Sequence, residues 1–216
     1  MNRLITDEQF EQATRLAVSR ALSPDKGFRV DRAEVYHCAS GRPSACIRPT
    51  LAFRAAKTFG TVGGSNSLGK HRVSLVDLAR CGAALQIAHE STLPVDDWMD
   101  QEMERRGQLP LYVHPDYGAE VAVMTSMRLL SRVYCLVAQT SFSSKTKEEI
   151  TLLFDRTAQD ISRGQEIDLF PPRILLSENV IEAYRKTGAL FGYATELGAL
   201  VTGASQEQRS LARGIG

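Results

Sequence analysis

From Ser74 to Asp100 the chain reads as one long helix, and this run constrains the fold more than any other stretch. Ser74 with Asp77 supplies a start signal, and Leu75, Leu78, Cys81, Ala84, Leu85, Ile87 and Ala88 recur at helical spacing toward a closing group of aspartates. No other segment offers a sheet to bury it against, because sustained period-two alternation occurs nowhere. The expected fold is therefore all-α. Pro94 lies inside the run and is expected to kink it just ahead of the aspartates, since proline removes one backbone bond and crowds the preceding turn.

Further helices follow from local signals. Thr6 with Gln9 forms a capping box for a helix through Phe10, Thr14, Leu16, Val18 and Leu22 that stops at Ser23-Pro24. Residues 23 to 47 are rich in Gly, Pro, Ser and charge and read mostly as loop. A helix opens near Ile47 with Pro49 in its first turn and ends near Gly60, before a Gly/Ser-rich loop to Gly69. Residues 108 to 115 read as loop. Ala119 to Ala138 is apolar on all sides and is expected to be central and mostly buried. Thr146 with Glu149 caps the next helix, closed by Gly164; after Pro171-Pro172, Ser177 starts another that runs to Gly203, and Ser205 with Gln208 starts the last.

Composition narrows the function. At 216 residues and 43% hydrophobic content the chain can form one substantial domain, 1–216, without requiring a second. A net charge of +1 gives no bulk attraction to nucleic acid or to an anionic membrane, so any phosphate binding must be local. Charges throughout the first thirty residues leave no apolar core for a secretory leader, so none is expected, and no uncharged apolar run approaches membrane-spanning length. Cys38, Cys46, Cys81 and Cys135 lack C-x-x-C pairing, which fits a reduced, cytoplasmic compartment.

The chemistry concentrates at Asp96-Asp97-Trp98-Met99-Asp100, with Arg105-Arg106-Gly107 just behind. On a helix, Asp96 and Asp100 share a face and Asp97 sits at its edge. Two carboxylates about 4 Å apart repel by roughly 4 kcal/mol at an effective dielectric of about 20, and a hard divalent cation relieves that strain. Mg2+ is typically held by one or two carboxylates plus substrate phosphates. Arg105 and Arg106 would add forked donors for the same phosphates. Taken alone, such a string is more often a solvated acidic turn. Lys186 and Arg106 alone would read as solvated charges, Gln165 as a polar helix cap, and His89 as a satisfied histidine.

Their joint order changes that reading, because it resembles the trans-isoprenyl diphosphate synthases of the polyprenyl synthetase family. Asp96-Asp97-x-x-Asp100 with Arg105-Arg106-Gly107-Gln108 is similar to the first aspartate-rich motif and its trailing arginines. His89 matches a His or Gln seven residues ahead, Arg48-Pro49 resembles the end of G-K-x-x-R-P, Gly164-Gln165-x-x-Asp168-Leu169 matches G-Q-x-x-D-L, and Lys186-Thr187-x-x-Leu190-Phe191 resembles K-T-x-x-L-F. The resemblance covers about residues 40 to 216. It implies an isoprenoid synthase-type antiparallel helical bundle around a central cavity and a homodimer, or a heteromer with another synthase subunit. It implies Mg2+ on Asp96, Asp97 and Asp100. The substrates would be an allylic diphosphate and isopentenyl diphosphate, with Arg48, His89, Arg105 and Arg106 as substrate-binding residues. Lys186 would bind the leaving diphosphate, and Thr187 and Gln165 would line the position of the allylic cation.

The chain also departs from the family's pattern. Ala45 and Cys46 stand where a basic residue that binds isopentenyl diphosphate is expected, leaving Arg48 alone unless Arg42 or Lys70-His71-Arg72 substitutes. The second aspartate motif is not reached before Gly216, so the bundle is expected to be truncated at its C-terminus and to be unstable, associated with a partner, or a fragment of a longer protein. Ser91 and Thr92, five and four residues before Asp96, are small where the resemblance places bulky side chains that limit product length, which suggests a deeper cavity. The alternatives are a catalytically weak subunit that pairs with a complete synthase and, against the arginine, Gly164 and Lys186 motifs, a class I terpene cyclase.

Overall fold

The computed structural model describes residues 5–22, 28–39, 46–62, 72–171 and 177–216, with the side chains of 177–183 and 185 excluded. Arg42, Ala45, Lys70, His71 and the Gly/Ser-rich stretch after Val62 lie outside the described residues. Within them the helices are α1 (Asp7–Ala21), α2 (Arg29–Ala39), α3 (Ile47–Phe59), α4 (Leu75–Met99), α5 (Ala119–Ala138), α6 (Ser144–Leu169), α7 (Ser177–Val201) and α8 (Gln206–Ile215). The all-α expectation holds apart from two residue pairs, β1 (Thr61–Val62) and β2 (Arg72–Val73), which pair in parallel and are too short to leave a period in the sequence.

The bundle is organised on α4. It packs against α1, α3 and α5, and α7 packs against α3, α6 and α8. Leu78, Leu85 and Ile87 of α4 are fully buried in one core with Phe10, Phe53, Leu129, Leu153 and Leu197. The caps at Thr6, Ser74 and Ser205 form as the sequence suggests, each side chain accepting from the backbone N–H three residues on. Close approaches at glycine bring helices together, one of them beside Lys186. An added Cβ at Gly164 of α6 would sit 2.5 Å from the Lys186 Cβ of α7, and one at Gly198 would overlap the Ala52 carbonyl of α3.

Four expectations need correction. Residues 29–39, read as loop, form α2. Its buried stripe is polar, with Asp31, Glu34 and His37 beside Ala33, so no apolar period announces it. Arginines on α5 compensate the buried acids: Arg128 reaches Asp31 at 2.6 Å and Arg132 reaches Glu34 at 2.7 Å. Next, α6 does not stop at Gly164 but continues to Leu169, and it is capped from Ser143, not from Thr146 with Glu149. Gly164 serves the α7 contact instead of a terminus.

The third correction concerns α5, which buries only one side; Met124, Met127, Leu130 and Tyr134 are exposed. By length and composition α5 could cross a membrane, unlike any other helix among the described residues, but its arginines are paired with α2 and its buried face packs on α4. Finally, α7 ends at Val201, slightly short of Gly203, whose φ of 79° turns the chain toward α8.

Candidate active site

The C-terminal half of α4 carries two clusters of opposite character. Seven residues separate His89 from Asp96 and Glu90 from Asp97, about two helical turns or roughly 10 Å along one side of the helix.

At the far end, three carboxylates do converge, although the third is not Asp97. Lys186 Nζ lies 2.8 Å from Asp168 Oδ2, 3.6 Å from Asp96 Oδ1 and 4.0 Å from Asp100 Oδ2, and Gln165 Nε2 donates to Asp100 Oδ1 at 3.4 Å. Asp96 and Asp100 meet here because they are one turn apart. Lys186 and Asp168 meet them because the missing Cβ of Gly164 lets α6 and α7 touch. Asp97, expected to share the metal with its neighbours, is 1% exposed and forms an ion pair with Arg105, whose Nε donates to Asp97 Oδ1 at 2.5 Å. Burial raises the Asp96 carboxyl above its ordinary range; Lys186 pulls it back down while Asp100 pushes it up. Burial pulls Lys186 down, but its bond to Asp168 and the nearby Asp96 leave it raised overall.

The residues fit a divalent cation in a limited sense. Asp96 and Asp100 already share a cation, the Lys186 ammonium, so their oxygens present a site that stabilises positive charge. Among the described residues no group of three His, Cys, Asp or Glu side chains is arranged to bind an ion unaided. A Mg2+ ion held here would take one or two carboxylates from the chain and the rest of its shell from water and phosphate.

The nearer cluster is cationic. Arg48, in the first turn of α3, stacks its guanidinium 4.5 Å from the centre of the Phe191 ring of α7, and its Nε is buried with no hydrogen-bond partner among the described residues. Burial lowers its pKa, opposed by Glu90. His89 is pushed down to about 4, first by burial and then by Arg48, with Arg106 and Arg105 contributing, so it is neutral near pH 7. Arg106, on a left-handed backbone with φ 54°, makes a two-pronged pair with Glu90, each guanidinium nitrogen 3.2 Å from one oxygen. A buried guanidinium edge without an acceptor, a neutral imidazole and a second arginine make a place where an anion is under-supplied.

Thr187 is exposed beside Lys186, and Ser91 and Thr92 turn their hydroxyls back to the Ala88 and His89 carbonyls of their own helix at 2.8 and 2.9 Å. Glu90, Gln86 and His37 belong to none of the motifs named above, and Asp168 joins the carboxylate cluster from a separate motif on α6. Glu90 had a visible signal, lying seven residues before Asp97 on the same helix. His37 had none, because α2 was not legible.

The bundle is an isoprenoid synthase fold: it superposes on a solved geranylgeranyl pyrophosphate synthase with a TM-score of 0.80 at 20% identity, over 99% of this chain and 60% of that one. The structure of geranylgeranyl pyrophosphate synthetase from Pyrococcus horikoshii matches with a TM-score of 0.77 at 21% identity, over 96% and 60%. The Polyprenyl synthetase family model matches residues 32–216, and the chain belongs to that family. Its relatives include a geranylgeranyl diphosphate synthase of Sulfolobus acidocaldarius, 36% identical over 62% of this chain and 42% of that protein. A short chain isoprenyl diphosphate synthase of Methanothermobacter thermautotrophicus is 31% identical over 75% of this chain and 46% of that protein. The chain thus spans about half the length of these curated relatives.

Proposed function

We propose that the chain is a trans-prenyltransferase, or a truncated form of one, that joins an allylic diphosphate to isopentenyl diphosphate. The observation that carries this reading is the pair of poles on α4, one acidic and cation-holding, the other basic and short of an anion. A reaction between two diphosphates needs one of them ionised and the other only held. The acidic pole suits the first: Asp96 and Asp100 would hold Mg2+ against the allylic diphosphate, with Lys186 moving its ammonium from the carboxylates to the departing diphosphate. Bound Mg2+ supplies charge neutralisation of that leaving group. Gln165 and Thr187 offer polar oxygens to the allylic cation. The basic pole suits the second: Arg48, His89 and Arg106 would hold isopentenyl diphosphate with its double bond toward the cation. Arg105 divides its charge between Asp97 and Asp96 and fixes the first turn beyond α4. With Ser91 and Thr92 both small, we expect products longer than farnesyl diphosphate.

The exposed Met124, Met127, Leu130 and Tyr134 face of α5 supports association with a second copy or with a related synthase subunit. A weakly active partner subunit is the second reading, favoured by that face together with the missing lysine at Ala45. Four free cysteines suit the cytoplasm. Incubation with Mg2+, farnesyl diphosphate and labelled isopentenyl diphosphate tests the first reading, which predicts a labelled prenyl product. If product forms only after a complete synthase is added and depends on this chain, the partner reading holds; no product in either case contradicts both.

A further inference from the structure

Pro94 has no N–H to give to the carbonyl four residues back, and that carbonyl belongs to Glu90. A side chain from another helix replaces the missing donor: His37 Nε2 of α2 lies 3.0 Å from the Glu90 oxygen. Burial lowers the His37 pKa, opposed by the neighbouring Glu90 carboxylate, and in the tautomer that carries a proton on Nε2 the ring donates to that carbonyl. The Glu90 side chain is equally constrained. Gln86, one turn earlier, donates to Oε1 at 2.8 Å, and both oxygens receive the Arg106 fork. His37 Nε2 also lies 3.5 Å from Glu90 Oε2, and the closest cationic contacts of the carboxylate are the two Arg106 nitrogens at 3.2 Å.

Arg106 needs such a support. It sits in a turn with positive φ, between the backbone bonds that join Arg105 and Gln108, where a long side chain is otherwise free to rotate. An end-on fork to a carboxylate uses one hydrogen on each terminal nitrogen and leaves the Nε–H and two outer N–H groups in a fixed plane. We propose that Glu90, held by His37 and Gln86, is a positioning residue that sets the plane in which Arg106 meets the diphosphate of the isopentenyl substrate. The inference rests on the reading of Arg48, His89 and Arg106 as a diphosphate subsite.

The proposal predicts a sign. If Glu90 were only a neutralising counter-charge, its removal would tighten anion binding; if it positions Arg106, removal weakens binding. Calorimetric titration of isopentenyl diphosphate in EDTA isolates the basic pole, because the carboxylate pole requires a metal. The unaltered chain is expected to bind. Glu90→Gln is expected to weaken that binding by about tenfold, the lower end of what loss of an outer partner costs a metal-bound histidine. Glu90→Asp should recover part of the loss, and Mg2+-dependent farnesyl diphosphate binding should change by less than about twofold, an asymmetry that general loosening of the fold does not produce. Gln86→Leu keeps both charges and should weaken binding in the same direction, which preserves the test should Glu90→Gln not fold. Equal or tighter binding by either variant overturns the proposal and leaves the subsite reading intact. Failure of the unaltered chain to bind overturns the subsite and the proposal with it.

Discussion

The exchange of a helix bond for a histidine at Glu90 makes a quantitative prediction. His37→Leu keeps a buried side chain of similar size but removes the donor to the Glu90 carbonyl, at a site where His37 is 6% exposed and Glu90 3%. A buried carbonyl left without a partner costs about 1–3 kcal/mol. For a chain of this length, about 2 kcal/mol lowers the melting midpoint by roughly 4–8 °C. The cost should depend on Pro94. In a Pro94→Ala background the alanine's own N–H can bond the same carbonyl, so His37→Leu should then cost less than about 1 kcal/mol. The four proteins of this double-mutant cycle, compared by urea unfolding with a constant slope, should show a coupling of at least about 1 kcal/mol. A coupling below about 0.5 kcal/mol, which is ordinary additivity, would refute the claim that His37 stands in for the missing helix bond.

Two further outcomes follow from the site. His89 is depressed from 6.5 to about 4, so at low pH the unfolded chain binds a proton that the folded chain refuses. Its contribution to stability is full above about pH 6.5 and falls as pH drops through about 4, by up to roughly 3 kcal/mol, and His89→Gln should flatten that part of the profile of urea midpoint against pH. Gly164→Ala places a methyl group 2.5 Å from the Lys186 Cβ and 2.8 Å from its backbone nitrogen, so α6 and α7 must part. Overpacking of this kind costs about 1–3 kcal/mol, and Mg2+-dependent diphosphate binding should fall with it because Lys186 leaves Asp96 and Asp168; unchanged stability and binding would show that the contact is not limiting.

Much of this architecture was legible because it is written in local signals. The caps at Thr6, Ser74 and Ser205 and the apolar period of α4 are short-range chemistry, and they locate their helices without tertiary information. Where tertiary pairing overrides local pattern, the sequence was silent. α2 buries Asp31, Glu34 and His37, residues that ordinarily mark a solvated segment, because Arg128 and Arg132 arrive from α5. The outward apolar face of α5 and the passage of α6 through Gly164 are likewise set by what packs beside them. At the site, the ordered motifs name candidate residues but not the partners the fold gives them. Asp97 and Asp100 look equivalent in a D-D-x-x-D string, yet one turns inward to Arg105 and the other toward Lys186. Only the helix phase relative to α6 and α7 separates them.

The same separation of Asp97 from Asp96 and Asp100 can be tested directly at the acidic pole. Titration of farnesyl diphosphate with and without Mg2+ should show binding that requires the metal in the unaltered chain. Asp96→Asn and Asp100→Asn should abolish the Mg2+ requirement along with most of the affinity. Asp97→Asn should keep the requirement and lose affinity only through the loosened Arg105. If farnesyl diphosphate binds equally well without Mg2+, or if Asp97→Asn removes the metal dependence while Asp96→Asn spares it, the assignment of the acidic pole is wrong.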